Sequence, residues 1–377
     1  MKKVNKLYNR INDIDIICDM YDNVISRNTK NKSKIERFND YYSSNIINIK
    51  NIINNCNYKV SKYNIFLIRE PKLRIIMSQN ITDKVINHLV AKYFLVNVFD
   101  KSFIDTNVAT RIGKGTHYGF IKIKKYLNEI KFKNSNFYYL KFDISKYFYN
   151  IDHDIVKELI RKKIKDKDVL NIIDSIIDST DSDYVNSCIN KLKEKEINRI
   201  NNLKISDKEK NLKIEEINNI FLYLSGKGFP IGNMTSQLVA ILYLNELDHY
   251  IKEILGIKYY VRYMDDGILI HEDKNYLKYC LSKIKIILSK YKLNLNFKKN
   301  EINSIKKELD FLGYRFVIRD NKIIMKVRND CKKRFKKKIK LLRYKDYNKY
   351  KELIESYKGH LGYGDCRGLF YKVVKEK

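Results

Sequence analysis

The segment Tyr259-Tyr260-Val261-Arg262-Tyr263-Met264-Asp265-Asp266-Gly267-Ile268-Leu269-Ile270 decides the reading of this chain. β-Branched and aromatic residues flank an acidic pair and a glycine, the pattern of strand, turn and strand. Strands this apolar are substantially buried, and ionised carboxylates at a buried turn are expensive unless something cationic meets them. A divalent metal with hard oxygen ligands is the simplest remedy. Taken alone, the segment also has a plainer reading, because Asp-Asp-Gly is ordinary turn chemistry in a surface hairpin.

A second acid shifts the balance. Asp143 ends another aromatic, β-prone run, Phe137-Tyr138-Tyr139-Leu140-Lys141-Phe142-Asp143. If the two strands are neighbours, Asp143 can face Asp265. Carboxylates from two strands can hold two Mg²⁺ roughly 3.5–4 Å apart, the arrangement of in-line phosphoryl transfer. One ion would lower the pKa of an attacking 3′-hydroxyl, and the other would stabilise a leaving pyrophosphate.

Composition agrees with an anionic partner. The chain has 377 residues, 76 Lys+Arg against 44 Asp+Glu, and a formal charge of +32. Nucleic acid is the first candidate partner and an anionic membrane surface the second. Part of the lysine excess also fits the drift of AT-rich coding sequence, as do the abundant Asn, Ile and Tyr. A hydrophobic content of 44 % excludes a disordered basic tail protein, and two Pro with thirteen Gly exclude a linker or collagen-like chain. The longest apolar run, Leu238–Leu244, is far too short to span a membrane, and no signal peptide is visible. Six scattered Cys without a CxxC pair predict reduced thiols in a cytoplasm and no structural zinc.

Residues 1–55 read as a helical extension with a polar break at Ser26–Lys34. Residues 58–68 read as a strand pair, followed by a turn through Pro71 into a short strand. Thr82–Val98 has apolar residues at helical spacing. Arg111-Ile112-Gly113-Lys114-Gly115-Thr116 is a basic glycine loop before a helix over 117–130. Residues 154–220 are polar and helical, with a capping box at Ser206-Asp207-Lys208-Glu209. A loop at Gly226–Gly232 leads into a helix through about Ile254, and an amphipathic helix covers Tyr276–Lys290. Short strands follow at Leu309–Ile318 and Lys322–Val327. The block Lys326–Lys345 carries eleven Lys or Arg and one acid, with Phe335, Ile339 and Leu342 on one helical stripe.

Tyr-Met-Asp-Asp in a hairpin, with an upstream strand ending Asp-x-x-x-x-Phe, resembles the palm of reverse transcriptases. The other pieces occur in that family's order across roughly residues 55–365. Lys72 and Arg74 sit where its fingers carry basic residues for the nucleotide triphosphate. Gly228-Phe229-Pro230-Ile231-Gly232-Asn233-Met234-Thr235-Ser236-Gln237 resembles its nucleotide-pocket motif. Leu293–Lys299 resembles its lysine-bearing segment, Phe311-Leu312-Gly313-Tyr314 its primer grip, and Ser356–Gly362 a thumb motif of bacterial members.

The resemblance implies an α+β right-hand polymerase with fingers at 56–136, palm at 137–320 and a basic thumb at 321–377. The helical 154–225 region would lie partly in the fingers. It implies catalysis by Asp143, Asp265 and Asp266, with Asp143, Ile144, Asp265 and Asp266 as metal positions for two Mg²⁺, or Mn²⁺. Lys72, Arg74, Pro230, Ile231, Gly232, Gln237 and Lys299 would contact the nucleotide, with Lys298 an alternative to Lys299 at the pyrophosphate. Phe148, five residues after Asp143, would be the steric gate against a ribose 2′-OH; among three consecutive aromatics it could also be core. Arg111, Lys114, Lys332, Lys333, Arg334, Lys336 and Lys337 would contact nucleic acid, with affinity falling steeply as salt rises.

Most of the family has Gln where this chain has Ile231 and Pro where it has Gln237. Ile-Gly-x-x-x-Ser-Gln resembles the bacterial and phage enzymes of diversity-generating retroelements, which copy template adenines with errors. That resemblance implies an RNA template, a DNA or RNA primer, dNTPs and a small basic accessory protein, without a membrane. Ile offers neither the donor nor the acceptor of Gln, so lost hydrogen bonds would weaken discrimination; Ile231 could equally just pack under the pocket. Two alternatives share the remaining motifs: a retron or phage-defence enzyme acting on its own non-coding RNA, and a non-catalytic RNA-binding protein derived from a polymerase.

Overall fold

The computed structural model describes residues 8, 11–55, 58–70, 72–133, 136–181 and 183–375; Pro71 and Cys56 lie outside the described residues. The chain divides into two compact units. The first draws on residues up to Ile104, on Ser145–Glu246 and on Leu288–Asn294; the second takes Asp105–Ile144, Leu247–Ile287 and the chain from Leu295 onward.

In the first unit, helices Ile14–Asp19, Lys32–Asn39 and Tyr42–Asn54 bury Ile17, Ile35, Phe38, Ile46, Ile49 and Ile53. The expected polar break is where Asn31 caps the second of these helices, accepting from the Lys34 N–H. Strands β1 (Asn64–Ile68) and β2 (Arg74–Ser78) form an antiparallel hairpin. The expected strand pair within 58–68 is therefore corrected: only Asn64–Ile68 is strand, and its partner lies after the turn. Side chains take the ladder groups of the upstream residues instead. Asp83 Oδ2 accepts from the Ser61 N–H at 3.1 Å and the Tyr184 hydroxyl oxygen from the Tyr63 N–H at 3.0 Å. A continuous helical run from Ile81 to Phe99 follows, widened to π geometry over Val90–Val96.

The polar helical region is also in this unit: His153–Arg161, Lys167–Ile177, Asp183–Asn201 and Asp207–Asn218. Ser206 caps the last, its hydroxyl accepting from the Glu209 N–H, as the capping-box pattern predicts. Helix Asp183–Asn201 is bound tightly to the β1–β2 hairpin. Val185 and Ile189 pack against Tyr63, Ile75 and Met77. Glu196 is buried and receives Arg69 in a bidentate pair, with Arg199 from its own helix as a second cation.

The Arg69 guanidinium, helped by Arg199, holds the Glu196 carboxyl down at about 2, below its ordinary 4.5. The folded value lies below the unfolded one, so this stabilisation is complete above about 4.5 and is lost as pH falls toward about 2. Glu196→Gln should therefore cost about 2 kcal/mol at pH 7, the scale of a charge-assisted pair. In urea melts the gap to wild type should close between those two pH values. A gap independent of pH would show that the ion pair is not its source.

The second unit is built on a four-stranded antiparallel sheet. Its members are β3 (Tyr138–Asp143), β4 (Tyr259–Tyr263), β5 (Asp266–His271) and β6 (Glu301–Ser304), in the order β4-β5-β3-β6. A second sheet joins β7 (Leu309–Phe311), β8 (Tyr314–Arg319) and β9 (Lys322–Val327) as a meander. Helix Thr116–Ile130 covers both, sharing one core with Tyr139, Val261, Ile268, Phe311 and Phe316. Helices Asn329–Lys345, Tyr347–Gly362 and Arg367–Lys375 close the unit. Phe335 stacks on Tyr357 with ring centroids 4.3 Å apart. Along the basic helix the buried stripe is Cys331, Phe335 and Ile339, with Leu342 half-buried, and Lys333, Lys336 and Lys337 are exposed.

Among the described residues no helix is long and apolar enough to cross a membrane. Cys18, Cys188, Cys280, Cys331 and Cys366 are all free thiols.

Candidate active site

The central hairpin forms as its sequence demands, but the acids divide differently from the simplest expectation. β4 and β5 close on the pair Tyr263↔Asp266, leaving Met264 and Asp265 as a two-residue turn. Asp266 is thus the first residue of β5, and the register sets it directly opposite Asp143, the last residue of β3. The β3–β5 pairing places the two acid-bearing strands side by side, meeting the condition that the sequence reading set. The residue across from Asp143 is Asp266, however, because a two-residue turn ends the strand one position later than Asp265. Cross-strand partners project from the same face of a sheet. Gly267 makes this possible: a Cβ there would lie 2.2 Å from the Phe142 ring that packs across it.

Asp143, Asp265 and Asp266 therefore lie toward one end of the sheet, and Asp266 bears the repulsion. Burial, followed by the charge of Asp265 and that of Asp143, pushes the Asp266 carboxyl up to about 6; Lys141 and Lys299 pull against it. Asp143 is 3 % exposed. It accepts from Asn296 Nδ2 at 2.8 Å and from Lys299 Nζ at 2.5 Å, and its backbone N–H donates to Asn300 Oδ1 at 3.0 Å. Lys299 thus belongs to the cluster, whereas the Lys298 backbone N–H turns back to Asn296. Ile144 is buried and bridges to Leu295, which carries the lysine segment alongside β3.

Among the described residues no three His, Cys, Asp or Glu side chains are gathered as a metal cluster. The donor chemistry nonetheless fits a hard divalent cation. All three acids offer oxygen, a lysine ammonium already sits on Asp143, and the repulsion at Asp266 is of the kind a further cation relieves.

A family model described as reverse transcriptase (RNA-dependent DNA polymerase) matches residues 62–316, about two thirds of the chain. The chain belongs to the reverse transcriptase family. RNA-directed DNA polymerisation is the reaction of that family. No curated protein matches the chain. The matched range of this reverse transcriptase spans both acid-bearing strands and the loop Gly228–Gly232; it ends before the basic helix Asn329–Lys345.

The first unit of the reverse transcriptase holds the residues expected at the nucleotide, apart from Lys299. The loop Gly228–Gly232 is pinned at several points. His153 Nε2 and Thr180 Oγ1 each donate to the Gly228 carbonyl at 2.9 Å. The Phe229 N–H donates to the Phe148 carbonyl at 2.8 Å, and the Ile231 carbonyl accepts from the Met77 N–H of β2 at 3.4 Å. Gly228 has φ +90°, and a Cβ there would lie 2.7 Å from the Tyr223 ring, so both conformation and space call for glycine. Ile231 and Gln237 are half-buried, Pro230 is buried, and Gly232 is exposed. Lys72 and Arg74 are exposed on the hairpin.

The three consecutive aromatics separate. Tyr147 is the core residue, buried with its hydroxyl donating to the Ala240 carbonyl. Tyr149 packs against Tyr223. Phe148 is half-buried, its ring edge-on to Tyr147. A cavity of about 260 Å³ opens beside Gly232, lined by Ile25, Phe66, Met77, Lys84 and His88 among others. Ile25 comes from the N-terminal extension, which sequence reasoning did not connect to this loop.

Other expected contacts sit in the second unit. Lys114 Nζ donates to the Asp105 carboxylate at 2.9 Å, and Arg111 donates to the Asn107 carbonyl at 3.2 Å. In Phe311–Tyr314, Phe311 and Tyr314 are buried, and the Leu312-Gly313 turn is the partly accessible part. Of the basic-helix residues, Arg334 pairs with Asp330 at 3.2 Å and Lys332 is half-buried. His153, Thr180, Asn296, Asp248 and Arg262 were missed by sequence reasoning. Only Arg262 carried a signal, as a lone charge in an otherwise apolar strand.

Proposed function

We propose that this reverse transcriptase extends a primer 3′-end on an RNA template with Asp143, Asp265 and Asp266 as its catalytic carboxylates. The observation that carries the reading is the pairing of Asp143 with Asp266 beside the Asp265 turn, with Lys299 on the same cluster. Two Mg²⁺ or Mn²⁺ held by the three acids and the Ile144 carbonyl would acidify the 3′-hydroxyl and offset charge on the departing pyrophosphate. Lys299 would exchange its contact with Asp143 for the pyrophosphate as that charge develops. Lys72 and Arg74 neutralise the triphosphate, and Phe148 excludes a ribose 2′-OH. In this reading residues 56–136 are fingers, 137–320 palm and 321–377 a thumb whose Lys333, Lys336 and Lys337 follow the duplex backbone.

The finer reading is error-prone copying in a diversity-generating retroelement. It rests on Ile231 and Gln237. The half-buried Ile231 side chain lies in a loop tethered through main-chain atoms, so it has no polar group with which to align a base pair. Primer extension on homopolymeric RNA with sequenced products tests both levels. Activity dependent on RNA and dNTPs is expected, with errors concentrated opposite template adenine. Ile231→Gln should lower that error rate on the order of 10-fold, the scale of a few oriented hydrogen bonds. An unchanged error spectrum would remove the reason for naming this subgroup while leaving the polymerase reading in place.

A further inference from the structure

Arg262 is wholly buried, two residues before the catalytic turn. So is its partner, Asp248, in helix Asn245–His249. The guanidinium grips the carboxylate at both ends, Nε to Oδ1 at 2.6 Å and Nη2 to Oδ2 at 2.6 Å. Asp248 also accepts from the Tyr260 hydroxyl at 2.7 Å and from Asn107 Nδ2 at 3.1 Å. Backbone bonds lock Arg262 itself: its N–H donates to Thr106 and its carbonyl accepts from Val108, each at 3.0 Å.

The remaining arm is directed at the site. Arg262 Nη1 donates to the Met264 carbonyl at 2.8 Å. Met264 has φ +54°, a left-handed conformation that non-glycine residues adopt only when neighbours hold them there. Its carbonyl belongs to the peptide that carries the Asp265 N–H. Fixing that peptide plane sets the direction in which Asp265 leaves the backbone.

Stability alone does not account for this arrangement. A buried ion pair can be replaced by uncharged groups at little or no net loss, because desolvating two charges offsets most of their attraction. What an uncharged side chain cannot do is hold a carboxylate at two points and a carbonyl at a third with one rigid fork.

We propose that Arg262, oriented by Asp248, is a positioning residue that holds the Met264–Asp265 peptide so that Asp265 points into the reaction. The inference rests on the reading of Asp265 as a catalytic carboxylate. Asp248 orders the guanidinium, the guanidinium orders the turn, and the turn aims the acid. The device acts on turnover and on cation capture.

The test compares wild type, Arg262→Lys and the neutral pair Arg262→Gln/Asp248→Asn, which keeps an amide acceptor for Tyr260 and Asn107. Thermal melts establish folding. Template–primer affinity, KM for dNTP and kcat are then measured, together with Mn²⁺ binding read from the free-ion EPR signal. In folded variants kcat should fall at least 100-fold, and Mn²⁺ binding should weaken at least fivefold. Template–primer affinity and KM should stay within threefold. A folded neutral pair with kcat within threefold of wild type overturns the proposal. Loss of folding in both variants also overturns it, since the pair would then serve stability. Failure of the polymerase reading looks different: wild type itself extends no primer. The Mn²⁺ comparison then decides alone, unchanged binding counting against the proposal and weakened binding for it.

Discussion

Asp265→Asn should reduce primer extension by a factor of at least about 10³, equivalent to roughly 4 kcal/mol of transition-state stabilisation. The substitution keeps the side chain's size and removes its charge. The fold should survive, because Asp265 is half-exposed and lies in the turn, outside the paired strands. The melting temperature should stay within a few degrees of wild type, since surface substitutions outside the core rarely move stability by more than about 0.5 kcal/mol. Asp143→Asn should be equally inactive but less neutral for stability. Its carboxylate is buried and holds Lys299 and Asn296, so the change leaves an ammonium without its counter-charge. The contrast can be read from one experiment that measures extension and unfolding in parallel. Substantial extension by Asp265→Asn would sink the assignment of the acids. Equal stability of the two variants would mean that the Lys299 contact with Asp143 contributes little to the fold.

Phe148→Ala should let ribonucleotides in. The expected fall in discrimination against rNTPs is on the order of 10- to 100-fold, with dNTP incorporation changed only a few-fold. The arrangement of the three aromatics supports a gate at Phe148. Tyr147 occupies the core with its hydroxyl satisfied, and Tyr149 is engaged with Tyr223. Phe148 is tied through its own carbonyl to the Phe229 N–H, one residue ahead of the Pro230–Ile231 pocket segment. Its backbone is therefore placed by the same loop that carries Ile231, and truncating the ring removes bulk without disturbing that tie. Competition between dNTP and rNTP at a single template position measures the effect. Discrimination equal to wild type would place the gate elsewhere.

Local pattern carried much of the architecture. The β-branched and aromatic runs around Asp265 and Asp266 read as a hairpin, and Phe137–Asp143 read as a strand that the structure begins at Tyr138. Thr82–Val98 and the capping box at Ser206 are helical by spacing and by chemistry. The error at 58–68 shows the limit. Tyr58–Tyr63 has strand-like composition, yet its backbone and side-chain donors bond to Asp83 and Tyr184, groups brought in from helices far along the chain. Side-chain acceptors that arrive by tertiary folding can displace a sheet partner, and no window of sequence contains them.

The candidate site divides along the same line. That these acids and a following lysine belong to one candidate site could be read from Asp143, Tyr263–Asp266 and Leu293–Lys299, because residue type and order suggest the chemistry. Register was not legible. That Asp143 faces Asp266, that Lys299 rather than Lys298 sits on Asp143, and that Glu196 binds Arg69 are matters of a single residue's offset or of distant elements meeting. The buried fork of Arg262 on Asp248 is the clearest instance. A lone arginine in an apolar strand announces only that some partner must exist, since its charge cannot be buried alone. The fold supplied Asp248 and the Met264 carbonyl. Sequence by itself determined the chemical inventory and its strand-and-helix carriers, because those depend on neighbours in the chain. Tertiary structure decided which charges meet, because Coulomb and hydrogen-bond energies depend on ångströms that only packing sets.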